Sequence, residues 1–182
     1  MIEGLYKGKL GNVREYLIYL LPYLKKLLNF CYKIFYVSFW TNGTKDHCLS
    51  VLNGILTETQ FKQTKIILAR ADQNEVCDCK TNKNYIINLH NYQLNKPLDY
   101  LWEHPDFNSQ FNRNNSIIID DNPINIAVNQ SNSIFIYPWC RFDKKNRKLK
   151  DLIKLLKKHK KTYNVIDIKT YNLHIPRKIS IS

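Results

Sequence analysis

The stretch Asn114 to Pro123, NNSIIIDDNP, decides the fold. Three isoleucines, Ile117, Ile118 and Ile119, run directly into two adjacent carboxylates, Asp120 and Asp121. A continuous aliphatic run of this length, bounded by turn residues, is the pattern of a strand buried on both faces, as in a parallel sheet with helices on either side. In open α/β sheets ligands bind beyond the carboxyl ends of such strands. Asp120 and Asp121 therefore fall where a site is expected. Two neighbouring carboxylates repel each other unless a cation offsets them. A hard divalent ion such as Mg²⁺, held by one or two carboxylates and water, suits them. The competing structural reading is that Asp121 starts a turn or caps a helix after Pro123.

Outward from this stretch, strands and helices alternate. On the N-terminal side, Asn12-Val-Arg-Glu15 has the form of a capping box, and Val13, Leu17, Leu20, Leu21, Leu24, Leu27 and Leu28 recur at helical spacing around Pro22. This predicts a helix across that region. Tyr32 to Trp40, YKIFYVSFW, reads as a doubly buried strand closed by Thr41-Asn42-Gly43. His47 to Leu56 reads as a short helix, Thr64 to Ala71 and Tyr85 to His90 as strands, and Leu98 to His104 as a helical turn or a short helix. Ser116 to Ile119 and Ile134 to Tyr137 are further strands, and Arg147 to His159 is an amphipathic helix. The expected class is α/β, a single domain over residues 1–182 with its core at about 8–160 and a basic helix and tail at 144–182.

Composition bounds the function. The 182 residues are 44% hydrophobic and carry a net charge of +13, enough apolar matter for a core. Ten of the 28 basic residues lie between Lys144 and Lys161. That helix offers a nucleic-acid surface, but Leu149, Leu152, Ile153, Leu155 and Leu156 give it a core face, so a solvated lysine face is preferred. Five cysteines with no secretory leader fit a reducing, intracellular setting, and Cys77-Asp78-Cys79 is too tight for the usual zinc spacing. Tyr16 to Leu24 is too short to span a bilayer and lacks a cleavage site, so a soluble protein without a membrane partner is expected.

Two more pieces join the carboxylates. Thr41-Asn42-Gly43 places a hydroxyl and turn N–H groups at a strand end, an arrangement that suits phosphate. Lys96, in Lys96-Pro97-Leu98, supplies a point cation ahead of Asp120.

In order, strand–Trp40-Thr41, Lys96-Pro97-Leu98 and Ile117-Ile-Ile-Asp120-Asp121-Asn122-Pro123 resemble the NIF-type protein phosphatases of the haloacid dehalogenase superfamily. Ile124 to Trp139, INIAVNQSNSIFIYPW, resembles the stretch that carries Asn-x-x-Asn and a final strand in those proteins. Leu68 to Cys77 resembles another family segment. The resemblance implies a Rossmann-like three-layer fold with a mainly parallel central sheet. It implies hydrolysis of phosphoserine or phosphothreonine on proteins, with Mg²⁺ as cofactor and a phosphoprotein as substrate or partner. It places phosphate on Thr41, Asn42 and Lys96, and metal on Asp120 and Asp121.

The family's first motif, Asp-x-Asp-x-Thr at the end of a central strand, has no counterpart. No aspartate precedes Asp46. The sheet is therefore expected to lack its first strand, with Met1 to Lys9 the only stretch to replace it. Three readings follow. The chain is a phosphatase-like domain without turnover; or it is an active phosphatase whose first motif lies outside this sequence; or it is a basic nucleic-acid-binding protein.

Overall fold

A computed structural model describes residues 5–10, 14–70, 79–81, 84–89, 95–139 and 146–159. It divides into two compact units, Met1–Leu94 and Asn95–Ser182. Cys77, Cys140 and the basic tail beyond His159 lie outside the described residues.

The first unit opens on a hairpin. Strands β1 (Leu5–Leu10) and β2 (Arg14–Tyr19) pair antiparallel, with Leu5 opposite Tyr19 and Leu10 opposite Arg14. The helix expected from Val13 onward is thus a strand at its start. Tyr16, Ile18 and Tyr19 are strand formers, and β1 offers them a partner that helical spacing alone does not reveal. β1 pairs with β2 in a two-stranded sheet of its own, so Leu5–Leu10 does not replace a strand of the parallel sheet, and Met1 to Gly4 lie outside the described residues. Tyr23 breaks the chain in a left-handed conformation (φ 69°) just after Pro22. Helix α1 (Leu24–Ile34) begins there and runs into the segment read as a strand. Its Leu24, Leu28 and Tyr32, four residues apart, face the core.

Strand β3 (Phe39–Thr44) follows, shifted toward Thr44 from the expected Tyr32–Trp40. Helices α2 (Lys45–Ile55) and α3 (Glu58–Gln63) lead to β4 (Ile66–Arg70). β5 (Cys79–Thr81) and β6 (Asn84–Leu89) complete a four-stranded sheet in the order β3-β4-β6-β5. β3, β4 and β6 are mutually parallel, and β5 is antiparallel to β6. β4 is internal, and its Ile66, Ile67, Leu68 and Ala69 are all buried. β3 lies at the edge and is only half-buried along its length, which corrects the doubly buried reading. Under the sheet, Leu28, Cys48, Leu52, Leu56, Ile67 and Ala69 form one apolar cluster. α3 carries a complete capping box: Gln60 N–H donates to Thr57 Oγ1 and Thr57 N–H donates to Gln60 Oε1.

The second unit holds α4 (Asp99–Glu103), β7 (Ile118–Asp120), α5 (Pro123–Ala127), β8 (Ser133–Phe135) and α6 (Lys148–His159). β7 and β8 are parallel, with Ile119 opposite Ile134 and Asp120 opposite Phe135. The strand expected at Ser116–Ile119 starts two residues later and takes in the first carboxylate. α6 buries Leu149, Leu152, Leu155 and Leu156, as its periodicity requires. The protein is thus a mixed α/β structure of short, mainly parallel ladders and helices, consistent with a Rossmann-like fold of the haloacid dehalogenase type.

Candidate functional site

The aliphatic run explains where Asp120 sits. Ile118 is buried and pairs with β8, and the strand ends on Asp120 beside Phe135. The chain then turns. Asn122 accepts the Ile124 N–H on its side-chain oxygen at 3.0 Å, and Pro123 occupies the first turn of α5, where its missing N–H costs nothing. Asn122, not Asp121, is therefore the cap, which leaves both carboxylates outside the capping role.

Lys96 Nζ donates to Asp120 Oδ2 at 2.7 Å, across 24 residues of sequence. Their side chains are only 13% and 8% exposed. The second oxygen, Oδ1, accepts the Asn122 N–H at 2.8 Å, and the Asn125 side chain also hydrogen-bonds the carboxylate. Burial pushes the Asp120 carboxyl up. The hydrogen bonds from Lys96, Asn122 and Asn125, and the charge on Lys96, outweigh it and hold the carboxyl below its ordinary value. Asp120 is therefore an anion at neutral pH, compensated by a lysine. Asp121, next along the chain, is exposed.

Behind this pair stands a set of buried asparagines that sequence reasoning did not single out as functional. Asn125 is 1% exposed, and its Oδ1 has no hydrogen-bond partner among the described residues. Asn129 bonds the backbone of Lys96, Leu98 and Asn125. Asn132 donates to the carbonyls of Arg113 and Ser116 and accepts on its backbone from Ile118 N–H. The only signal in the sequence is the Asn129-Gln-Ser-Asn132 spacing. Asparagine in the middle of an apolar fold survives only with its amide bonded, so burial of three within eight residues marks a designed network.

Thr41 and Asn42 belong to the first unit. They fall where the β3–β4 register shifts, between Trp40 and Thr44. Such irregularities re-aim side chains and recur beside functional sites. Thr41 Oγ1 accepts the Gly43 N–H at 3.0 Å, so its own proton is left to donate. A Cβ on Gly43 would come within 3.3 Å of Thr41 Oγ1, so glycine keeps this turn closed. Thr44 Oγ1 accepts the His47 N–H and starts α2.

The donor set fits a mostly hydrated Mg²⁺. Asp121 is an exposed carboxylate and Asp120 precedes it in the chain, two hard oxygen ligands of the kind that ion takes. Among the described residues no group of three His, Cys, Asp or Glu side chains could hold a metal, so water would supply most of the coordination. Cys31 and Cys48 play no part, since burial pushes each thiol up to about 11. No helix among the described residues is long and apolar enough to cross a membrane.

No curated protein matches the chain. A family model described as NLI interacting factor-like phosphatase matches residues 5–168, spanning the Thr41 turn, Lys96, Asp120, Asp121 and the buried asparagines. That match covers most of the 182 residues, and the chain belongs to the NLI interacting factor-like phosphatase family.

Proposed function

We propose that this chain is a phosphate-binding homologue of the Mg²⁺-dependent protein serine/threonine phosphatases that does not by itself turn over a phosphoester. Lys96, in the second unit, contacts the phosphoryl group of a phosphoserine or phosphothreonine protein, and Thr41 and Asn42, in the first unit, are phosphate-binding candidates on the strength of their own motif. Asp120 and Asp121 hold the metal, which when bound neutralises charge on the phosphoryl oxygens. The observation that carries this reading is the Lys96–Asp120 pair at the end of β7, a cation held 2.7 Å from a buried anion. An exposed surface pair of this kind would be worth little, but this one is largely out of water and its carboxylate accepts two further hydrogen bonds.

Positioning and electrostatics are not turnover. An aspartate-based phosphatase needs a carboxylate to attack phosphorus and an acid to protonate the leaving oxygen. The 182 residues contain no Asp-x-Asp pair. Glu3 is the only acid near the expected place in the sequence, and it lies outside the described residues.

The test is turnover of a phosphoserine peptide by the purified chain with Mg²⁺, alongside calorimetric binding of inorganic phosphate. The expected result is binding without turnover. Turnover that is lost in Asp121→Asn would refute the reading by placing the nucleophile in this sequence. Turnover gained only when an Asp-x-Asp strand is supplied ahead of the chain favours the active-enzyme alternative. The nucleic-acid reading is disfavoured because α6 buries four leucines and Lys154 pairs with Asp151 on its own helix, as a solvated face does.

A further inference from the structure

We propose that Asn129 is the positioning residue of Lys96, a clamp that fixes where the lysine presents its charge. This rests on the phosphate-binding reading of Lys96 given above. Asn129 is 6% exposed and uses its full hydrogen-bonding capacity on one task. Its Nδ2 donates to the Lys96 carbonyl at 2.8 Å and to the Asn125 carbonyl at 2.7 Å. Its Oδ1 accepts the Leu98 N–H at 2.8 Å. An amide has two protons and one oxygen, and all are engaged.

The bonded groups bracket Pro97, which has no N–H and a fixed φ. Lys96-Pro97-Leu98 is therefore held at both ends by one side chain and stiffened in the middle. A lysine ammonium rides on a flexible four-carbon stem, so anchoring its backbone narrows the volume that the charge can sweep. The third bond, to the Asn125 carbonyl, reaches the helix whose Asn125 side chain bonds the Asp120 carboxylate. One buried amide thus connects the backbone of the cation to the helix that orients the anion. The Asn-x-x-Asn spacing acquires distinct roles at its two ends. Asn132, 4% exposed, directs its amide to Arg113 and Ser116 instead of the lysine segment.

That difference supplies the control. Asn129→Ala, Asn129→Asp and Asn132→Ala are compared with the unaltered protein in two measurements. The first is the rate of Lys96 acetylation by acetic anhydride, read by mass spectrometry against exposed Lys62 and Lys154. The second is the Kd for inorganic phosphate with Mg²⁺. Both Asn129 variants are expected to speed Lys96 acetylation and to weaken phosphate binding by about tenfold, as loss of positioning does. Asn132→Ala is expected to lower thermal stability while leaving both readouts near those of the unaltered protein. Slow Lys96 acetylation in the Asn129 variants overturns the proposal, as does an equal change in Asn132→Ala. Should Asn129→Ala not fold, Asn129→Asp, which keeps the acceptor for Leu98, is measured. Failure of both to fold counts against a positioning role. If no phosphate binds to any protein, the phosphate reading of Lys96 falls, and the acetylation rates still decide the clamp.

Discussion

Replacing Lys96 with methionine removes the cation and keeps most of the stem. Asp120 is then left 8% exposed and negatively charged. At 2.7 Å the Coulomb attraction is about 6 kcal/mol at an effective dielectric of about 20, before desolvation of the two charges is subtracted. Removing one partner of a buried pair costs about 3–5 kcal/mol. The carboxylate keeps the Asn122 N–H and the Asn125 amide, so the lower end, about 3 kcal/mol at pH 7, is expected. The pH dependence has a definite sign. In the unaltered protein the folded Asp120 pKa is lowered, so its contribution is present above the unfolded value of about 3.9 and is lost as pH falls through the folded value. In Lys96→Met, burial opposes ionisation with fewer partners to offset it, and the folded pKa rises. The destabilisation should therefore be largest at neutral pH and shrink below about pH 4. Urea unfolding followed by circular dichroism at pH 7 and at about pH 3 measures both. The double variant Lys96→Met, Asp120→Asn should recover much of the loss at pH 7, because no uncompensated charge remains. A Lys96→Met protein within about 0.5 kcal/mol of the original at pH 7 refutes the buried-pair argument, as does a loss of equal size at both pH values.

Ile67→Ala, at the fully buried centre of β4, should cost about 4 kcal/mol in denaturant unfolding, since it leaves a cavity where a fully buried side chain packed. Thr57→Ala removes the α3 cap that accepts the Gln60 N–H and should cost about 1 kcal/mol, read as a fall in midpoint with unchanged slope. Cys48, buried and with its thiol pushed up to about 11, should resist iodoacetamide at pH 8 in the folded protein and react once urea unfolds it. Rapid labelling of Cys48 without unfolding would show that the cluster around Leu52 and Ile67 opens locally.

The buried asparagines show how function can be written into a core without being visible in composition. Asn125, Asn129 and Asn132 each cost desolvation; the Asn129 and Asn132 amides offset it by fixing backbone around Lys96 and Leu98 and around Arg113 and Ser116, and Asn125 bonds the Asp120 carboxylate. Among the described residues Asn125 Oδ1 is a buried amide oxygen without a hydrogen-bond partner.

The sequence by itself determined what local physics controls. The aliphatic run Ile117 to Ile119 signals a strand, which the structure forms at Ile118–Asp120 with Ile118 buried and Ile119 and Asp120 half-buried. Arg147 to His159 declares its core face through leucines at helical spacing, whereas the cap before Pro123, read from sequence as Asp121, is Asn122 in the structure. The order of short motifs around Lys96, Asp120 and Asp121 suggested the family, which the match over residues 5–168 shows. Only the tertiary structure decided the rest. Arg14–Tyr19 fits a helix by spacing and a strand by residue type, and β1 settles it by supplying backbone partners. β3 reads as interior by its aromatic content and proves to be an edge, because strand order depends on which chain segment arrives beside it. The Lys96–Asp120 bond and the Asn129 clamp join residues 24 and 33 positions apart, and no periodicity encodes a contact that exists only once β7, α5 and the Lys96 turn have packed together.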